Sequence, residues 1–146
     1  RAVSIYEQIK IAGLSSGISF NFDKISIMPN SFYSHMLIEY SKVENLQNKI
    51  SEALFDAFFI QGKNIGEPIV LNKIAESCNI KNLSKDLFLS NKEISKNVQL
   101  SDETSRSKGI NGVPFFIIND KYAVSGAQES EVFKKIFETS LMEKNT

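Results

Sequence analysis

The chain has 146 residues, 42% hydrophobic and 23% charged, enough for one ordinary globular domain with a real core. Lys+Arg and Asp+Glu are both 17, so the formal net charge is zero, which excludes a basic footprint for nucleic acid and a polybasic patch for a membrane. No stretch approaches the roughly 20 apolar residues of a membrane-spanning helix, and one cysteine with one histidine excludes an internal disulfide and a Cys/His zinc centre.

Taken in order, residues 2–14 predict a helix with Val3, Tyr6, Ile9 and Gly13 on one side and Ile5 and Ala12 nearby, ended by Gly13 and Ser15-Ser16-Gly17. Ile18, Phe20 and Phe22 alternate with polar residues, which predicts a short extended segment over 18–23. Pro29-Asn30-Ser31 is a helix start in which Asn30 or Ser31 can cap. The helix that follows, over about 31–42, places Phe32, His35, Met36, Glu39 and Tyr40 within one broad face. Residues 45–61 form the most apolar helix, with Leu46, Ile50, Ala53, Leu54, Ala57 and Phe58 in one stripe, widened by Phe55 and Phe59. Gly62 to Gly66 is a loop. Pro68 opens a helix over about 68–78 that buries Val70, Leu71, Ile74, Ala75 and Cys78. Residues 83–107 predict two weaker helices, one around Leu87 and Leu89, the other through Ile94, Val98 and Thr104.

The stretch from Gly109 to Gln128 is the most informative. Val113 to Ile118 carries no charge and no side-chain hydrogen bonder, which predicts a strand covered on both faces. Pro114 stands at its start, where a missing N–H matters least. Asn119-Asp120 suits a two-residue turn at positive φ, so the strands form a hairpin. Gln128 to Met142 predicts a closing helix with Val132, Phe133, Ile136, Phe137 and Leu141 inward. No repeat, low-complexity tract or linker appears, so a single domain over 1–146 is expected, mainly helical to about 108 and a hairpin with its helix over about 109–146. A buried strand needs neighbours at both edges, and 18–23 is the only other candidate. The missing partners would lie in an N-terminal βαβ segment or in another polypeptide. The start at Arg1, inside a helical pattern, agrees: either a leading segment has been removed or the sequence starts late. Its first residues have no apolar core or cleavage site, so no signal peptide is expected.

Gly112-Val113-Pro114-Phe115-Phe116 and Tyr122-Ala123-Val124-Ser125-Gly126-Ala127-Gln128 resemble the DsbA-like thioredoxin-fold family, most closely its FrnE branch, relatives of 2-hydroxychromene-2-carboxylate isomerase and kappa-class glutathione transferase. Phe20-Asn21-Phe22-Asp23, Pro29-Asn30-Ser31-Phe32 with His35, Glu52 to Phe59, and Ile65-Gly66-Glu67-Pro68 resemble that family's helical insertion. The resemblance covers nearly the whole sequence and implies an α/β, thioredoxin-like (DsbA-type) fold with a helical insertion. The present residues would be mostly α-helical, with a C-terminal β-hairpin, a closing helix and an incomplete sheet. It also implies a cis bond between Val113 and Pro114, whose exposed backbone can pair with an extended substrate. The family's chemistry resides in an N-terminal Cys-x-x-Cys, activated at a helix N-terminus. This sequence has none, so it is expected to be a C-terminal part without catalytic residues of its own and without dithiol activity.

Val113, Pro114, Gly126, Ala127 and Gln128 are therefore the candidate substrate-binding residues. Gly126 is either a turn glycine or part of the loop beside the proline. Asn30 is first a helix cap and only secondarily a ligand residue, by resemblance to the isomerase-like relatives. In glutathione-using relatives a Ser-Asp pair after the glycine holds the γ-glutamyl end; Ala127-Gln128 offers no carboxylate there. Cys78 is expected to be a small buried hydrophobe, His35 a partly buried helix histidine rather than a base, and Glu39 and Asp56 solvated or capping carboxylates. The leading expectation is part of a FrnE-like thiol-disulfide oxidoreductase acting on protein or small-molecule thiols and disulfides, cytoplasmic, without metal or cofactor, and with a homodimer through the open sheet edge in view. The alternatives are a glutathione-dependent isomerase or transferase of the 2-hydroxychromene-2-carboxylate isomerase type and a non-catalytic helical interaction module.

Overall fold

The computed structural model describes residues 2–80 and 89–144. It divides into two compact units, Arg1–Leu100 and Ser101–Thr146. The helix expected around Leu87 lies outside the described residues.

The first unit holds α1 (Ala2–Ser15), α2 (Phe32–Tyr40), α3 (Gln47–Phe55), α4 (Pro68–Ser77) and the beginning of α5 (Lys92–Ser107). Its core is the meeting of three apolar stripes: Met36 and Leu37 from α2, Ile50 and Leu54 from α3, and Leu71, Ile74 and Ala75 from α4, joined by Ala57, Cys78 and Ile80. Ile94 and Val98 of α5 pack against it. Leu37, Ile50, Leu71 and Ala75 are fully enclosed, and each large aliphatic side chain removed from water contributes about 1.5–3 kcal/mol. Helix starts are set locally. Ser31 is the N-cap of α2 but makes no side-chain capping bond; instead the Phe32 N–H donates to Asn30 Oδ1 at 2.9 Å, so the Asn30 side chain closes the start of α2 from one residue earlier, and Pro68 occupies the first turn of α4, where its missing N–H leaves no gap. The buried Ser34 hydroxyl donates to the Ile65 carbonyl at 2.7 Å, tying α2 to the loop before α4.

At the end of α3 the helix widens into one π turn, Asp56–Ile60, with the Gln61 N–H donating to Asp56 O at 3.0 Å and the Lys63 N–H to Ala57 O at 2.8 Å. The segment over 18–23 is not a strand. The Asn21 N–H donates to the Phe59 carbonyl at 2.8 Å, and Phe22–Lys24 closes one 3-10 turn. An extended segment without a ladder partner satisfies its backbone elsewhere, and here the alternating Phe20 and Phe22 rings both pack on Phe59, at 5.7 and 6.3 Å between centroids. α1 lies against this cluster through Tyr6 on Phe22 (4.9 Å) and Lys10 to Asp23 (3.0 Å). Ile5, Ile11 and Leu14 remain exposed. Its C-terminus is closed by the Ile18 N–H to Gly13 O at 2.8 Å and the Gly17 N–H to Leu14 O at 3.1 Å, with Gly17 at positive φ, the arrangement that glycine favours after a helix.

The second unit contains the end of α5, β1 (Phe115–Ile118), β2 (Tyr122–Ser125) and α6 (Ser130–Lys144). The strands are antiparallel, Phe115 opposite Ser125 and Ile118 opposite Tyr122. Asn119 and Asp120 both adopt positive φ as expected, and the Lys121 N–H closes the turn onto Ile118 O at 3.2 Å. The register makes Lys121 part of the loop as well, so the connection is one residue longer than the two-residue turn read from the sequence. The expectation of a strand covered on both faces is corrected: Phe116 is 39% and Ile117 51% exposed. Among the described residues β1 pairs only with β2. Phe116 meets Phe133 of α6 edge-on at 4.9 Å, and nothing comparable covers Ile117 among the described residues. The closing helix is corrected in the same sense. Phe133 and Ile136 are half-buried, but Val132, Phe137 and Leu141 are exposed.

Candidate functional site

α5 ends by folding back on itself, with the Gly109 N–H donating to Arg106 O at 2.9 Å and the Ile110 N–H to Ser105 O at 3.1 Å. Asn111 to Pro114 then runs as an exposed loop into β1. The Val113–Pro114 peptide is cis. The Pro114 carbonyl accepts the Gly126 N–H at 2.8 Å, which extends the hairpin by one more link beyond the Phe115–Ser125 pair. Antiparallel pairing thereby sets the start of β1 beside the end of β2. Val113 and Pro114 are brought together with Gly126, Ala127 and Gln128, and the Gln128 amide folds back to donate to the Ser125 carbonyl at 3.0 Å. Asn30 belongs to the other unit, where its side chain closes the start of α2.

Val113 is 91% exposed, and among the described residues no hydrogen bond holds its backbone N–H or C=O. An unpaired peptide group beside a strand end can accept a further strand. None of the residues gathered here titrates or carries a nucleophile. The arrangement can bind and position; it supplies no proton and no electron pair to a reaction.

Three titratable groups of this unit, Lys121, Tyr122 and Glu143, meet at the turn end of the hairpin instead. The hydrogen bond from Lys121 Nζ to Glu143 Oε2, 2.6 Å long, and a second from Tyr122 hold the Glu143 carboxyl below its ordinary range. The same bonds to Glu143 raise Lys121 and Tyr122. Nothing in the local sequence announces this contact, because Glu143 comes from the far end of α6.

In the first unit the structure shows two clefts that periodicity does not reveal. One, of about 170 Å³, is walled by Tyr6, Phe22, Met28 and Phe59. The other, of about 400 Å³, lies between the π turn and α4, with Asp56, Lys63, Lys73 and Ser77 around an apolar floor. Asp56 accepts a hydrogen bond from the Gln61 amide. His35 is exposed rather than partly buried, because the inner face of α2 is taken by Ser34, Met36 and Leu37. Cys78 is 3% exposed, its thiol directed at the Lys49 carbonyl at 3.8 Å, as the apolar face around it implies. Among the described residues no group of His, Cys, Asp and Glu is placed to hold a metal ion, and no helix is long and apolar enough to cross a membrane.

A family model described as "DSBA-like thioredoxin domain" matches residues 1–138. The chain belongs to this family. The DSBA-like fold accounts for both the helical unit and the hairpin with its closing helix. The protein is also similar to "Uncharacterized protein YwbO" from Bacillus subtilis (strain 168), 28% identical over 120 residues, which is 82% of this chain and 60% of that relative. It thus spans less than two thirds of the relative's length.

Proposed function

We propose that the protein takes part in thiol–disulfide exchange as a cytoplasmic member of the FrnE branch of the DSBA-like family, and that the Val113–Pro114 loop, with Gly126, Ala127 and Gln128, is the wall on which a protein or small-molecule thiol or disulfide substrate is laid. The observation that carries this reading is the Val113 peptide group, exposed and unpaired at the end of a strand whose next link, Pro114 to Gly126, is already made. In such a reaction a thiolate attacks one sulfur of a disulfide and the other leaves as thiolate. The loop's part is to hold the substrate backbone extended while this occurs. The 146 residues contain one cysteine, enclosed in the helical core, so a dithiol cycle requires thiols other than those in this polypeptide. The glutathione-dependent alternative is disfavoured by Ala127 and by Gln128, whose amide is spent on Ser125.

Two measurements test this. Insulin reduction by this polypeptide should stay at the level of a no-protein control; turnover well above it would overturn the redox-inactive reading. In a nuclear magnetic resonance titration with an extended, cysteine-containing peptide, the Val113 amide should shift and its hydrogen exchange should slow. A peptide that binds elsewhere and leaves Val113 unaffected would remove the loop from the site.

A further inference from the structure

The sequence contains a single Asn-Gly step, Asn111–Gly112, and the fold leaves it untied. The last hydrogen bond before it is made by the Ile110 N–H and the next after it by the Pro114 carbonyl. Both residues are exposed. Among the described residues nothing holds the Asn111 side chain or the Gly112 N–H, and a Cβ placed on Gly112 would meet open space.

We propose that Asn111 is a site of spontaneous chemical modification, at which the side-chain amide becomes a carboxylate through a cyclic imide formed with the Gly112 nitrogen. The Gly112 nitrogen loses its proton to solvent and attacks Asn111 Cγ, forming a C–N bond. The side-chain nitrogen takes up a proton and leaves as ammonia. Water then opens the ring. Cleavage of the new Cγ–N bond gives an ordinary aspartyl residue at this position. Cleavage of the original peptide C–N bond instead leaves the backbone running through Cβ and Cγ as an isoaspartyl link. Water is consumed, ammonia is released and no electrons change hands.

Ring closure needs the following nitrogen to approach the side chain, and a glycine has no Cβ in the way. Five of the other described asparagines are worse placed. Asn30, Asn64 and Asn91 use their side-chain oxygens to accept backbone N–H groups, while Asn45 and Asn79 are followed by Leu46 and Ile80. The product places a negative charge, and in the isoaspartyl form a longer backbone, immediately before Val113–Pro114. It changes the formal net charge from zero to one negative.

The test is incubation of the native protein in warm, mildly alkaline buffer, with a mildly acidic sample in parallel. Conversion is read by peptide mass mapping and by isoaspartyl methyltransferase labelling. Asn111 should convert on the order of tenfold faster than Asn45 or Asn79, faster in alkali than in acid, and on the order of tenfold slower in Gly112→Ala, a variant whose new methyl meets no neighbour. Retention of the Asn111 amide for as long as those of Asn45 and Asn79 would overturn the proposal. So would an unchanged rate in Gly112→Ala, or a native rate less than about a tenth of that in the urea-unfolded protein, since the fold would then be withholding the geometry.

Discussion

Gly62→Ala is the substitution whose cost the structure defines most sharply. Gly62 follows the π turn, donates its N–H to Phe58 O at 3.1 Å and has φ of +69°. A side chain at that φ costs about 1–2 kcal/mol by backbone sterics alone. The new methyl would also stand 2.5 Å from the Lys24 carbonyl oxygen and Cβ, and 2.7 Å from its carbonyl carbon. Lys24 cannot yield easily, because its N–H is bonded to Asn21 O at 3.1 Å and the next residue's to Phe22 O at 3.0 Å. Overpacking of this kind adds about 1–3 kcal/mol, for a total of about 2–5 kcal/mol. Gly17→Ala is the internal control: φ is +77° and no atom lies within 4 Å, so only the backbone part, about 1–2 kcal/mol, applies. Urea unfolding followed by helical circular dichroism measures both. At an unchanged slope of about 1–3 kcal/mol/M, the midpoint of Gly62→Ala should fall clearly below that of Gly17→Ala. Equal losses in the two variants would refute the close approach of Gly62 to the Lys24 backbone.

Three further outcomes follow from the same kind of reasoning. Phe116→Ala should cost about 2–3 kcal/mol by calorimetry, less than the roughly 3–5 of a fully buried phenylalanine, because 39% of the residue is already exposed; the full loss would mean that β1 is covered in solution. Asn30→Ala should cost about 1 kcal/mol, largely restored in Asn30→Asp, through loss of the side-chain bond that closes the start of α2, and weakened peptide binding with unchanged stability would instead make Asn30 a ligand residue. The Glu143 carboxyl should titrate below the ordinary glutamate range by carbon-detected magnetic resonance and move up toward it in Lys121→Ala. A carboxyl depressed by folding stabilises fully above its unfolded pKa, and that contribution is lost as pH falls through the folded value. A titration curve identical in Lys121→Ala would refute the pairing.

The helical core was largely legible. The spacing of Ile50, Leu54, Leu71, Ile74 and Cys78 states which faces are apolar, and those faces meet. Pro68 and Asn30 mark helix starts for reasons confined to a few atoms. The π turn was not legible, because Ala57 and Phe58 fall on the apolar stripe whether the helix keeps its pitch or widens. Nor does periodicity say whether an apolar face is covered. Phe137 and Leu141 keep helical spacing with Phe133 and yet are exposed. At the candidate site, Val113, Pro114 and Gly126 are singled out by the resemblance of their motifs to a known family, but the link from Gly126 to Pro114 depends on strand register, which the odd length of the turn shifts by a residue.

Cys78 gives this protein a built-in reporter. The Lys49 ammonium grips the Cys78 carbonyl at 3.0 Å while the thiol faces the Lys49 carbonyl, so the sulfur is clasped across the seam between α3 and α4. An alkylating reagent reaches it only when that seam parts. With one thiol in the whole sequence, the labelling rate is an unambiguous gauge of how often the helical unit opens, and it requires no engineered probe.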